Sequence, residues 1–324
     1  MSDQQLVIAV PSKGRLQENA ANFFRRAGLP MSQARGARDY RGSLAGLPEV
    51  EVMFLSAAEI VAQLASGGAH LGVTGEDLLR EGVADVEKRL ELITPLGFGF
   101  ANVVVAVPQS WIDVRTMADL DEVADAMRAR HGRRLRVATK YMNLTRAFFA
   151  GHGLLDYRIV ESLGATEAAP QSGTADIIVD ITTTGATLAA NGLKVLDDGT
   201  MLRSEANLVA SLAAPWGERA RAAARTVLGR IAAEEAARTT REIRAALDVG
   251  SFDLAAFRAQ TGATVPAGRA NDRILVVHCP APNVFAAVDA LLAAGGEDIT
   301  VSTPEYLFRT SNPLSDRLFG RLGE

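Results

Sequence analysis

Cysteine is nearly missing from this chain: Cys279 stands alone, so no internal disulfide can form and a reducing compartment suits it. Histidine is scarce too, and His70, His131, His152 and His278 lie far apart, with no zinc-ligand spacing and no nucleophile-base-acid set. Aromatic residues make up 6% of the chain, and no apolar run approaches the ~18 to 20 residues needed to cross a bilayer. Excess basic charge is absent as well, since the formal net charge is −4, which supplies no general attraction for nucleic acid or anionic lipid. The opening MSDQQLVIAVPSKGRL has only a five-residue apolar run and no basic flank, so no signal sequence is expected and the expected location is cytoplasmic. No G-x-x-x-x-G-K-[ST] occurs, and GFGFAN is a poor G-x-G-x-x-G. Any phosphate must be held by other means.

What is present is an ordinary globular composition, 48% hydrophobic over 324 residues, long enough for two or three domains. Short runs rich in Val, Ile and Leu predict strands at 6–10, 50–55, 70–75, 103–108, 135–139, 157–163 and 175–181. Amphipathic stretches lie between them, such as LQENAANFFRRAGL closed by Gly28 and TMADLDEVADAMRARHG closed by Gly132. Alternation of this kind implies βαβ crossovers and parallel sheets covered on both faces. Two sheets fit the length better than one, with the glycines of LGFGFANVVVAVP (96–108) suiting a passage between lobes. From Pro215 to about Leu247 the Ala-rich, charged pattern predicts one or two long helices. GATVPAGRAND (262–272) reads as a loop, and the strand, helix and strand of RILVVHCP, PNVFAAVDALLAAGG and DITVSTP form a small C-terminal βαβ module.

The most informative stretch is ADIIVDITTTGATL, residues 175–188. A continuous apolar strand runs into an acid, then hydroxyls and a glycine, just before a helical segment. Backbone N–H groups at a helix start lack intrahelical partners and carry partial positive charge, so an anion fits there. Thr182, Thr183, Thr184 and Thr187 add hydroxyl donors, while Gly185 and Ala186 keep the backbone accessible. A plain helix cap needs only one such hydroxyl. Asp180 would repel phosphate, so it suits sugar hydroxyls or a metal ion, and the implied ligand is a sugar phosphate.

Other strand-to-helix loops carry candidates. PSKGRL places Lys13 and Arg15 at a strand's carboxyl end, where open α/β sheets bind ligands, and KYMNLTR places Lys140 likewise, with Asn143 or Thr145 able to cap the next helix. Thr74-Gly75-Glu76 reads equally as a ligand turn or a helix cap. Glu167 suits either a ribose partner or a helix-start charge. With no metal-hydroxide or covalent machinery in view, a reaction driven by positioning and charge stabilisation is favoured.

Taken together, LVIAVPSKGRL, HLGVTGEDLL, GFGFANVVVAVP, RVATKYMNLTR and ESLGATEAAPQSGTADIIVDITTTGATLAANGLKVL resemble the ATP phosphoribosyltransferase family over roughly residues 5–213. The resemblance implies attack of adenine N1 of ATP on C1 of phosphoribosyl pyrophosphate, with Mg²⁺ assistance, as the opening step of histidine biosynthesis. It implies an α/β fold with a two-lobed core like the type II periplasmic binding proteins and a small C-terminal, partial ferredoxin-like domain. Residues 1–100 and 205–222 would form lobe I, 101–204 lobe II, and 223–324 a helical plus βαβ regulatory or assembly domain. Asp180 to Thr187 would hold the ribose and 5-phosphate, with Glu167 beside Asp180. Lys13 and Arg15 would meet the triphosphate or pyrophosphate, Lys140 and Tyr141 would line the facing lobe, and Thr74 and Gly75 would border the substrates. A histidine effector and a homo-oligomer, dimer or hexamer, are further implications, and neither nucleic acid nor membrane is an expected partner.

Three positions depart from the family pattern. Ser56 stands where Arg is common, with Arg35, Arg38 or Arg41 as substitutes, His70 replaces a frequent Asp, and Met142 stands where Pro often follows Lys-Tyr. A non-catalytic two-lobed receptor for a phosphorylated metabolite is the alternative, since this architecture also makes solute receptors.

Overall fold

The computed structural model describes residues 5–33, 40–162, 164–266, 270–271 and 273–323. Arg35 and Arg38 lie outside the described residues. The chain divides into two compact units, one comprising Met1–Phe23, Met31–Ala220 and Arg321–Glu324, the other Phe24–Pro30 with Arg221–Gly320.

The first unit contains two sheets. Its N-terminal strands are β1 (Leu6–Pro11), β2 (Met31–Gln33), β3 (Arg41–Leu44), β4 (Leu47–Leu55), β5 (Leu71–Gly75) and β6 (Leu90–Pro95). They are followed by β7 (Asn102–Pro108), β8 (Leu135–Thr139), β9 (Tyr157–Glu161), β10 (Ile177–Thr182), β11 (Leu193–Leu202) and β12 (Ala206–Ser211). The first sheet has the order β2-β3-β4-β1-β5-β12-β6 and the second β11-β7-β10-β8-β9. In the first, β1 lies parallel between β4 and β5, while β12 runs antiparallel to both β5 and β6. In the second, β8 lies parallel between β9 and β10, while β7 runs antiparallel to β10 and β11. The two sheets therefore share one plan, a parallel trio plus a return strand that enters from the other lobe's stretch of chain. This is the two-lobed α/β core that the sequence implies.

Burial explains the strands. All of β5 and β12 is buried, and Val103 to Val107 of β7 are almost fully so, because both faces of each sheet are covered. One core gathers Ala9, Ile60, Leu64, Leu79 and Val209 around the first sheet. Another gathers Val103, Val105, Leu135, Val137, Phe149 and Val179 in the second lobe. Leu78, on the lobe I helix Glu76–Gly82, packs against both.

The second unit corrects the expectation for residues 215–247. The helix Glu218–Thr239 stops at Thr239, and Thr240–Ala246 is a strand, β13. It is joined by β14 (Ala270–Asn271), β15 (Ile274–Pro280) and β16 (Glu297–Ser302) in the order β14-β15-β13-β16. With the helices Leu254–Thr261 and Val284–Ala293 in the connections, the element order is βαββαβ, the complete ferredoxin-like pattern rather than half of it. The segment TREIRAA is strand because it has a partner on each side, β15 and β16, and buries Ile243 and Ala245 in the unit's core. Tertiary pairing outweighs the helical propensity of Arg, Glu and Ala here.

Candidate functional site

Strand β10 ends at Thr182, and the chain then turns through Thr183, Thr184 and Gly185 into a short helix, Ala186–Ala190. Gly185 has φ +78, a left-handed conformation that a side chain would strain. The threonines shape this turn. Thr182 Oγ1 accepts from the Gly185 N–H at 2.8 Å, Thr184 Oγ1 accepts from the Ala186 N–H at 3.4 Å, and Thr183 Oγ1 donates to the Phe100 carbonyl at 3.2 Å. The result is a cavity of about 380 Å³ lined by Glu167, Asp180 to Thr184, Ala186 to Leu188, Phe100 and Ala101.

Asp180 is half-buried and lines this cavity. Burial raises its proton affinity above that of an ordinary aspartate, and the neighbouring Glu167 carboxylate adds to the effect. The Ile181 N–H, donating to Asp180 Oδ1 at 2.8 Å, and the Lys140 ammonium oppose the rise. Two carboxylates and a row of hydroxyls thus face one space, a hard-oxygen environment that fits sugar hydroxyls or a divalent cation. Among the described residues, no three His, Cys, Asp or Glu side chains cluster as a ready metal site.

The cavity brings together Glu167, Asp180, Thr182, Thr183, Thr184, Ala186 and Thr187 from the sequence candidates. Gly185 sits in the turn itself, and the others sit at the carboxyl ends of β1, β5 and β8, outside the cavity lining. Lys13 and Arg15 are exposed just past β1, on either side of Gly14, whose φ is +73. Lys140 is exposed just past β8, its ammonium 4.9 Å from the Tyr141 ring centre. Tyr141 is 1% exposed, and its hydroxyl donates to Asp77 Oδ2 at 2.7 Å, so it lies beneath the surface rather than on it. Thr74 is buried, and its hydroxyl lacks a hydrogen-bond partner among the described residues. Gly75 precedes the helix Glu76–Gly82, where an added Cβ would sit 2.3 Å from Asp77 Oδ1.

Residues that sequence reasoning did not single out tie these loops together. Asp77 is buried and accepts from Ser204 Oγ at 3.0 Å through its other oxygen. Glu81 accepts from the N–H groups of Asn143 and Leu144, each at 3.0 Å, and so caps the lobe II helix Met142–Gly151 from lobe I. Neither Asn143 nor Thr145 supplies that cap: the Asn143 amide donates to the Glu81 carbonyl, and Thr145 Oγ1 donates to the Tyr141 carbonyl. Partners more than 60 residues apart leave no local signal.

The three departures have structural accounts. Ser56 is the N-cap of the helix Ala57–Ser66, in a reciprocal capping box with Glu59. Arg41 is held by Glu51 at 3.2 Å on β3, beside β4. His70 is 2% exposed, its Nδ1 accepting from the Val7 N–H at 3.1 Å. Met142 takes the first helical position, and Glu81 accepts from the N–H of the next residue, Asn143.

The sequence model of the ATP phosphoribosyltransferase family matches residues 56–233. The chain is 58% identical over 319 residues to the ATP phosphoribosyltransferase of Afipia carboxidovorans, covering 98% of each chain. It belongs to the ATP phosphoribosyltransferase family. A second member, from Nitrobacter winogradskyi, is 57% identical over 97% of each chain. Among solved structures, a chain of the ATP phosphoribosyl transferase complex from Thermotoga maritima is similar in fold, with a TM-score of 0.53, 24% identity and coverage of 70% of this chain and 95% of that one. ATP phosphoribosyltransferases join ATP to phosphoribosyl pyrophosphate in histidine biosynthesis, and generally use a divalent metal. No helix among the described residues is long and apolar enough to cross a membrane.

Proposed function

We propose that the cavity over β10 holds the phosphoribosyl group while adenine N1 of ATP attacks C1 and pyrophosphate departs. The hydroxyls of Thr182, Thr183, Thr184 and Thr187, with the backbone from Gly185 to Thr187, surround the 5-phosphate. Because the helix Ala186–Ala190 is only five residues long, its dipole is slight, and the turn's own N–H and O–H groups carry this contact. Asp180 and Glu167 accept from the ribose hydroxyls. The two carboxylates also fit Mg²⁺: burial raises the Asp180 proton affinity, the Glu167 charge adds to it, and a cation held by both groups would offset the two effects. Bound there, Mg²⁺ would neutralise charge on the leaving pyrophosphate.

Lys13, Arg15 and Lys140 supply cationic groups for the triphosphate and pyrophosphate, because charge growing on the leaving group must be met as the sugar becomes oxocarbenium-like. Tyr141, Thr74 and Gly75 shape the lobe surfaces from beneath. Residues 1–100 with 205–222 act as lobe I and 101–204 as lobe II. The ferredoxin-like remainder, 223–324, serves histidine regulation or assembly of a dimer or hexamer, in the cytoplasm.

One observation carries this reading: two carboxylates and a run of threonines line a single cavity at the carboxyl end of β10. Replacing Thr184 or Thr187 by Val removes a charged hydrogen bond and should weaken phosphoribosyl pyrophosphate binding by about 1 to 3 kcal/mol. Calorimetry checks it, alongside pyrophosphate release from ATP, phosphoribosyl pyrophosphate and Mg²⁺. Unchanged affinity in both variants would reduce the turn to a helix cap.

A further inference from the structure

Phe100 takes no part in the phosphate and ribose contacts above, yet it forms part of the wall of the same cavity and is 54% exposed. A single exposed apolar side chain needs no explanation by itself. The difference at Phe100 is that the backbone around it is fixed on several sides. Its carbonyl accepts from Thr183 Oγ1, the next N–H, of Ala101, donates to the Ser204 carbonyl at 2.9 Å, and the Phe98 carbonyl accepts from the Ala206 N–H at 2.9 Å. The N–H of Gly97 donates to Glu205 Oε2 at 2.9 Å. Gly99 has φ +69, and a Cβ there would lie 3.1 Å from Leu16 Cδ1 and 3.2 Å from the Ala206 Cβ. The peptide carrying Phe100 is therefore anchored to the threonine turn and to the returning chain before β12, and Gly99 leaves no room for a side chain beside Leu16. Among the described lining residues Phe100 is the single aromatic ring, set amid hydroxyls, two carboxylates and aliphatic side chains.

We propose that Phe100 is the stacking platform for the purine of ATP, and so a determinant of nucleotide specificity. This rests on the reading of the cavity as the phosphoribosyl site. The attacking N1 must approach C1 of the sugar to about 3 to 3.5 Å, which confines the base to the neighbourhood of the clasped ribose. A flat heteroaromatic ring there needs a flat apolar neighbour to displace water from its face, and a phenyl ring on a peptide hydrogen-bonded on both sides provides one at little cost in ordering. Phosphoribosyl pyrophosphate has no ring of this kind, so the contact serves only one of the two substrates.

The test compares Phe100→Ala, Phe100→Leu and Phe100→Tyr in the full chain, varying each substrate with the other saturating and measuring phosphoribosyl pyrophosphate binding alone by calorimetry. Phe100→Ala should raise KM for ATP about tenfold or more, Phe100→Leu should recover only part of this, and Phe100→Tyr should stay near the parent. Affinity for phosphoribosyl pyrophosphate, thermal midpoint and oligomeric mass should match the parent in all three. A KM for ATP within twofold of the parent in Phe100→Ala would overturn the proposal. So would a parallel loss of phosphoribosyl pyrophosphate affinity, which would make the residue a support for Thr183, or a changed mass, which would make it a subunit contact. If the Thr184 and Thr187 variants lose that affinity while Phe100→Ala is unaffected, only the stacking role falls. If those variants keep it, the reading of the cavity fails instead.

Discussion

The hydroxyl of Tyr141, in the second lobe, donates to Asp77 Oδ2 in the first across 2.7 Å, and both side chains are buried. A carboxylate at this depth must be satisfied on every side, and Ser204 completes the set from the chain that returns to the first sheet. Burial, together with the Asp77 charge, pushes the Tyr141 phenol far above its usual range, so it stays a donor at any working pH. Tyr141→Phe keeps the ring but strips Asp77 of one charged hydrogen bond, and should cost about 1 to 3 kcal/mol of stability. Urea denaturation checks it; an unchanged midpoint would mean that Ser204 alone suffices.

Glu81 acts on the same side by closing a helix of the other lobe. Glu81→Ala leaves the Asn143 and Leu144 N–H groups uncapped and should cost about 0.5 to 2 kcal/mol, the usual penalty for losing an N-cap. Glu81→Gln, which still offers one acceptor oxygen, should lose less. Equal losses from the two variants would argue that charge, rather than capping, is what matters.

His70 gives the fold a weakness in acid. Burial lowers its proton affinity, and the neutral ring accepts from Val7 N–H through Nδ1 while Nε2 faces the Pro215 carbonyl at 3.3 Å. Its folded-state pKa lies below the unfolded value of about 6.5. The unfolded chain therefore takes up a proton first as pH falls. Stability from this site is complete above about pH 6.5 and declines below it, with a slope of at most about 1.4 kcal/mol per pH unit. Denaturant midpoints between pH 8 and 5 should show the decline in the parent and a smaller one in His70→Gln.

On the proposed reading, Asp180 is kept for ribose binding at a cost to stability. Its raised proton affinity means that the native state holds a proton which the unfolded chain releases from about pH 4 upward, so stability falls as pH rises through that window. Asp180→Asn removes this penalty. The variant should be at least as stable as the parent at pH 7.5 while losing about 10- to 100-fold in kcat/KM, the scale expected for a lost charged hydrogen bond to the sugar. Loss of stability together with activity would contradict this account.

How far the sequence discloses this structure depends on whether the deciding contacts are local. Strands such as LRVAT and IIVDI announce themselves because both faces are covered, which leaves no polar alternation to confuse them with helix. The threonine turn is legible for a similar reason, since the hydroxyls of Thr182 and Thr184 bond within two or three residues of themselves. Thr240–Ala246 is not legible: it continues the composition of the preceding helix, and only pairing with strands about 35 and 60 residues later makes it extended. β14 is just two residues long and gives no pattern at all. The link from Thr183 to Phe100, the bond from Tyr141 to Asp77 and the cap from Glu81 each span more than 60 residues, a distance that residue spacing cannot report.

The return of β12 to the first sheet sets an order on synthesis. In that sheet β6 has β12 as its paired neighbour, yet β12 leaves the ribosome only after the whole intervening lobe, more than 100 residues later. The opening lobe must therefore wait with an unsealed edge while the second is translated, a stretch of several seconds at about 5 to 20 residues per second. During that interval the nascent chain exposes a hydrophobic seam that chaperones, or another nascent chain, can reach.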